Sequence, residues 1–327
     1  EILPSDWSSD VCSSDLQERR LPYWQDIQTT EVNREKQRTE FMTFDSREAA
    51  LTKRFEESRY YRSLNGSWQF YFVESYKQLP ENITDATIST EGWKTIQVPG
   101  NWEMQGFGTA IYTNHGYEFK PCNPQPPTLP EMNPVGVYRR EIDIPDEWMQ
   151  RDIFLNIGGA KSGLYLYVNG KEVGYNEDSK NAAEFCLNDY LKAGKNVVTL
   201  KIFRWSTGSY LECQDFWRIS GIERDIYLWS QPKTHVRDFA VTSTLDEACR
   251  NGIFRLAVMM KNSAEERSNV TVSYLLTDAD NRTVATGEQQ LSLQGNQEKE
   301  VVFDASVHTP LRSEEHTSEL QSLGRIS

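Results

Sequence analysis

The stretch "SGLYLYVNGKEVGYNED", residues 162–178, reads as two strands folded back on each other. Aromatic and β-branched residues flank Asn169-Gly170 on both sides, a composition that suits a pleated, packed surface. Asn and Gly tolerate the positive φ that both central residues of a type I′ turn require, so Val168–Lys171 is predicted to be a tight hairpin. That single reading commits the surrounding chain to an antiparallel sheet.

Working outward, the same vocabulary recurs. Upstream, "SLNGSWQFYFVES" turns at Asn65-Gly66 and then runs as a strand, "GWKTIQVPGNW" is a strand stopped by Pro99-Gly100, and "VGVYRREIDIP" alternates until Pro145. "DIFLNIGG" follows, and "GGAKSG" at residues 158–163 reads as a turn, since its glycine spacing fits no phosphate loop. Downstream, "AEFCLNDYLKAGKNVVTLKIFRW" holds a strand, a turn ending near Gly194 and a strand from Asn196 to Trp205, and "GIERDIYLWSQP" closes the set. Many short strands and few amphipathic periods predict an all-β jelly-roll β-sandwich over residues 61–231. Nine Trp, fifteen Tyr and fourteen Phe supply ample apolar area for its core. Residues 17–60 form a polar extended segment with one short helix predicted in "SREAALTKRFEE".

Pro232 marks a boundary. Beyond it, "THVRDFAVTSTLD", "GIFRLAVMMKNS", "NVTVSYLLTDADNRTVATGEQQLSL" and "QEKEVVFDASV" predict four to six strands of an immunoglobulin-like sandwich over residues 232–311, cut short and leaving an unpaired edge near Val301–Ser306. The two ends are of another kind. "EILPSDWSSDVCSSDL" (1–16) and "RSEEHTSELQSLGRIS" (312–327) can be encoded by the two strands of one DNA segment, as translated sequencing-library adapter would be. Both are expected to be disordered and are set aside.

The ends hold seven acids and two bases, so removing them from 48 Asp+Glu and 35 Lys+Arg leaves 41 and 33, a net charge of −8. An acidic chain without basic clusters argues against a nucleic-acid or anionic-membrane partner. No apolar run approaches the roughly 18 residues of a membrane span. Cys122, Cys186, Cys213 and Cys249 are scattered without a CxxC, which argues against a zinc site or a disulfide framework and reads as ordinary buried thiols. His115, His235 and His308 stand far apart and form no catalytic constellation.

The chemistry concentrates in "RWSTGSYLECQDFWRISGIERDIYLW", residues 204–229. Tyr210, Phe216 and Trp217 surround Glu212, Gln214 and Asp215. Flat aromatic faces beside carboxylates and amides suit a sugar, whose ring has apolar faces and a girdle of hydroxyls. The competing reading is structural, with Asp215 capping a turn and the aromatics filling the core. A second polar pair, Asn114-His115, sits at the end of the strand in "GTAIYTNHGYEF".

Taken together, "SLNGSWQF", "VPGNWEMQGFGTAIYTN", "NPVGVYRREIDIP", "VNGKEVGYNEDSKNAAEFCL" and "RWSTGSYLECQDFWRISGIERDIYL" resemble the front of the glycoside hydrolase family 2 β-galactosidases, in order and across nearly all of residues 17–311. The resemblance implies a jelly-roll sugar-binding domain and an immunoglobulin-like domain, followed in the parent by a TIM barrel carrying two catalytic glutamates and the magnesium ligands. It implies that Asn114 and Asp215 contact the terminal galactose, that Asp215 also ligates sodium, and that the parent is a homo-oligomer. Cys213 stands where many relatives have Asp, a departure that leaves Asp215 itself in place. Related enzymes acting on β-glucuronides or β-mannosides, or a non-catalytic carbohydrate-binding protein, remain alternatives, and the compartment, cytoplasmic or periplasmic, stays open. All of this requires Asn114 and Asp215 to meet at one rim of the sandwich.

Overall fold

In the computed structural model, which describes residues 21–52, 54–119, 125–310 and 325–326, Asn169 and Gly170 have φ of 52° and 81°, the positive pair that a type I′ turn demands. The strands run in chain order as β1 (Glu31–Val32), β2 (Tyr61–Ser63), β3 (Gly66–Val73), β4 (Lys94–Val98), β5 (Gly100–Asn101) and β6 (Ile111–Thr113). They continue as β7 (Val135–Ile144), β8 (Asp152–Ile157), β9 (Ala160–Lys161), β10 (Gly163–Val168), β11 (Lys171–Asn176) and β12 (Ala183–Cys186). Then come β13 (Gly194–Phe203), β14 (Phe216–Arg218), β15 (Gly221–Ile222) and β16 (Ile226–Gln231).

A seven-stranded sheet, β1-β11-β10-β13-β7-β3-β4, packs on a four-stranded sheet, β12-β8-β16-β2. Between them lies a core that includes Trp68, Phe70, Trp102, Tyr138, Leu155, Leu166, Phe185, Leu200 and Leu228. The long sheet also buries its other face. Trp24, Phe119, Trp205, Tyr165, Tyr175 and Phe203 form a second apolar cluster there. This explains why β10 is buried at every position and why β7 alternates only in its second half. Alternation in sequence reports one wet face, and the aromatic layer removes it.

The helix predicted over residues 46–57 is instead two short pieces, α1 (Arg47–Ala50), capped by Ser46 accepting from Ala49 N–H at 3.1 Å, and a 3₁₀ turn at Phe55–Glu57. "GGAKSG" is more than a turn, because Ala160-Lys161 pair with Ile222-Gly221. The thiols depart from expectation too: Cys186 and Cys213 are half-buried, Cys249 is exposed in a turn, and all three are free. Cys122 lies outside the described residues.

After residue 232, β17 (Thr234–Leu245), β18 (Asn251–Asn262), β19 (Ser268–Thr277), β20 (Thr283–Leu293) and β21 (Gln297–His308) form a second sandwich. Its sheets are β17-β18-β21 and β20-β19, the latter extended by β22 (Arg325–Ile326). Phe254, Leu256, Val258, Tyr274, Leu293 and Phe303 lie between them. The expected open edge is β21, which pairs with β18 and with no other strand among the described residues. The expectation of disorder at 1–16 and 312–327 falls outside the described residues, apart from β22, which pairs Ile326 with Tyr274.

A strap from the N-terminal segment links the two sandwiches. Arg38 holds Glu184 through two hydrogen bonds at 3.0 and 2.8 Å while lying over Trp229. The next residue, Thr39, donates to Asp238 and to the Phe239 carbonyl.

Candidate functional site

Strands β6 and β14 make a two-stranded antiparallel ribbon at the rim of the first sandwich, with Thr113 opposite Phe216, Tyr112 opposite Trp217 and Ile111 opposite Arg218. One position further out on each strand stand Asn114 and Asp215. Residues a hundred apart in sequence therefore project side by side. Tyr112, Asp215 and Trp217 share one face of the ribbon, as their side-chain contacts show.

Both members of the pair are exposed. Asp215 Oδ1 accepts from the Tyr112 hydroxyl at 2.7 Å, and among the described residues its carboxylate contacts no cation. Asn114 Oδ1 lies 2.8 Å from His115 Nδ1. The Asp215 hydrogen bond and charge hold the Tyr112 phenol above its usual range. Tyr112 and Trp217 meet edge to face at 5.6 Å, and both rings are about half exposed. The ribbon thus brings the backbone at Asn114 and at Asp215 to adjoining strand ends, and neither residue is buried.

The rest of the sugar vocabulary separates. Phe216 and Trp217 face solvent, whereas Tyr210 packs edge to face on Tyr117 and Phe119 with its hydroxyl on the Thr128 carbonyl. Glu212 turns inward, accepting from Ser179 N–H at 2.9 Å. Cys213 points its thiol at the Ser209 carbonyl, and burial pushes that thiol up in pKa.

Behind the ribbon sits a buried arginine. Arg204, just past β13, lies 3.5 Å from Glu103 and 3.9 Å from Glu118, and all three side chains are buried. It donates to the Thr109 carbonyl at 3.0 Å and the Arg218 carbonyl at 3.1 Å, so one guanidinium ties the approach to β6 to the end of β14. Glu103 also accepts from Ser220 N–H at 2.8 Å; burial raises its pKa, and that hydrogen bond opposes the rise. Glu118 accepts from the Trp205 indole. Trp102 fixes the same loop from below: a Cβ on Gly136 would come within 2.6 Å of its ring. Tyr112 was legible through its period-2 spacing from Asn114. Arg204 had no local signal, because its two acids lie about a hundred residues upstream.

Chemically, the rim offers hydrogen-bonding groups: the Asn114 amide, the Asp215 carboxylate and the Tyr112 hydroxyl. An amide offers a sugar hydroxyl a donor and an acceptor, and a carboxylate accepts from one. His235, the one buried histidine among the described residues, donates from Nδ1 to the Pro232 carbonyl at 2.7 Å, and burial lowers its pKa. No cluster of three or more His, Cys, Asp or Glu among the described residues suits a metal ion. Asp215 is a hard oxygen donor fit for an alkali cation, as a single ligand.

Comparison with known proteins bears on this rim. Residues 61–232 match the sugar binding domain of the glycosyl hydrolases family 2, and residues 234–313 match a further domain described under the same family. A "Beta-galactosidase" of Priestia megaterium is 35% identical over 296 residues, covering 90% of this chain and 29% of that protein. One from Actinobacillus pleuropneumoniae is 37% identical over 243 residues, covering 74% of this chain and 23% of its own length. The chain thus spans less than a third of the length of these relatives. Among solved structures, a Bacteroides uniformis beta-glucuronidase superposes with a TM-score of 0.63 at 19% identity, covering 77% of this chain and 28% of that one. At that identity the likeness shows a shared fold.

Proposed function

The chain belongs to glycosyl hydrolase family 2, and on that premise we propose that it supplies one wall of the substrate pocket of a β-galactosidase acting on terminal, non-reducing β-D-galactosides. The observation that carries the reading is the pairing of β6 with β14, which puts the exposed Asn114 and Asp215 at adjoining strand ends; the similarity to β-galactosidases supports it. Asn114 offers a donor and an acceptor to galactose hydroxyls, and Asp215 accepts from them. Asp215 also provides a carboxylate oxygen for sodium beside the sugar's primary hydroxyl, where the cation supplies fixed positive charge. The terminal stretches 1–16 and 312–327 are adapter-derived in this reading and take no part.

Retaining glycosidases place an acid/base and a nucleophilic carboxyl about 5–5.5 Å apart. In the parent those two glutamates, with the magnesium site, belong to a TIM barrel, and no described element here alternates strand and helix in that way. Alone, the chain binds sugar weakly, since a half-site buries little ligand surface. A chromogenic β-galactoside is therefore expected to show turnover with the full-length protein and none above buffer with this chain. A panel that includes β-glucuronide and β-mannoside tests the specificity. In the full-length protein, Asp215→Asn should lower kcat/KM about ten- to a hundredfold, the worth of a hydrogen bond to a charged group, and blunt the sodium dependence. An unchanged Asp215→Asn enzyme would remove the role assigned to that carboxylate.

A further inference from the structure

We infer that Tyr112 is a positioning residue for the proposed galactoside reaction, its hydroxyl orienting the Asp215 carboxylate. The inference rests on the proposed role of Asp215. Asp215 stands at the exposed end of a strand, where a short carboxylate on solvated backbone has several open rotamers. Its one side-chain partner among the described residues is the Tyr112 hydroxyl, at 2.7 Å from Oδ1. That bond occupies one carboxylate oxygen and leaves Oδ2 as the outward acceptor.

Tyr112 is itself held. Its backbone is paired opposite Trp217 in the β6–β14 ribbon, and its ring meets Trp217 edge to face at 5.6 Å with planes 63° apart. A phenol on a stiff two-torsion side chain, anchored by both backbone register and ring contact, is a suitable lever for an otherwise mobile acid. The hydrogen bond runs diagonally across the ribbon, from the residue two before Asn114 to the residue two before Trp217. The acid on one strand is thereby held from the other. Tyr112 need not touch the sugar; it acts through Asp215.

The test uses the full-length protein in four forms: wild type, Tyr112→Phe, Tyr112→Ala and Asp215→Asn. Phe keeps the ring against Trp217 and removes only the hydroxyl. Tyr112→Phe is expected to raise KM for a nitrophenyl β-galactoside about five- to tenfold with kcat changed much less, because the lost contact serves ground state and transition state alike. Sodium binding, followed by ²³Na relaxation during a sodium chloride titration and without substrate, should weaken by a similar factor. If Asp215→Asn is impaired while Tyr112→Phe matches wild type in KM and sodium binding, the positioning role is wrong and the galactoside reading stands. Impairment of Tyr112→Ala alone would assign the effect to the ring and equally overturn the inference. If Asp215→Asn behaves as wild type, or no form turns over galactoside, both readings fall together.

Discussion

Arg204 shows how much of this site depends on one side chain. The Arg204 guanidinium lies between two buried carboxylates, where water cannot offset the charge of a group that loses its partner. Removing the cation leaves Glu103 and Glu118 as uncompensated charges beneath the rim. Arg204→Met is therefore expected to cost about 3–5 kcal/mol, read as a lower urea midpoint for the first sandwich by tryptophan fluorescence. A cost below about 1 kcal/mol would mean that the triad is not structurally important. At this scale the sequence showed polar candidates, Asn114 at a strand end and Asp215 among aromatics, and only the family resemblance paired them. Arg204, Glu103 and Glu118 were not legible, since an isolated charged residue in a sequence looks alike whether it is solvated or buried against a partner a hundred residues away.

The elements were set mostly by local chemistry. Asn169-Gly170 made the hairpin it promised, and the strands in "SLNGSWQFYFVES", "VGVYRREIDIP" and "GIERDIYLWSQP" formed where their turn residues allowed. The residues after Ser46 did less than expected, making one capped turn and a separate 3₁₀ turn, because so short a run gains little from helix propagation. Element contacts also explain a glycine. Gly136 sits in β7 where the rings of Trp102 and Phe70 press against the backbone, within 2.6 and 2.8 Å of any added Cβ. Gly136→Ala should lower stability by about 1–3 kcal/mol through overpacking and shift the loop that carries Glu103. Calorimetry gives the first quantity, and the amide shifts of Gln105 and Phe107 report the second. A wild-type melting curve would show that Trp102 has room to move.

Across the whole molecule, two sandwiches share a polar junction around Asp152. This buried carboxylate accepts from Lys233 at 2.6 Å and from the Ser263 hydroxyl, while Arg237 donates to the Lys36 carbonyl at 2.6 Å nearby. Asp152→Ala removes charge-assisted bonds worth about 1.5–3 kcal/mol each at most. The second sandwich is then expected to melt earlier and apart from the first, by about 4–8 °C per kcal/mol for a domain of its size. Scanning calorimetry resolves this; a single unshifted transition would show that the junction does not couple the modules. What the sequence determined by itself was the all-β class, the hairpins and the break at Pro232, because turn geometry and strand composition act over a few neighbouring positions. What only the tertiary structure decided was that Asn114 and Asp215 emerge side by side, that Tyr112 reaches the acid, and that Arg204 braces the ribbon from behind. Those facts depend on which strands pair and in which register, and such pairing is settled by long-range packing that no local stretch encodes.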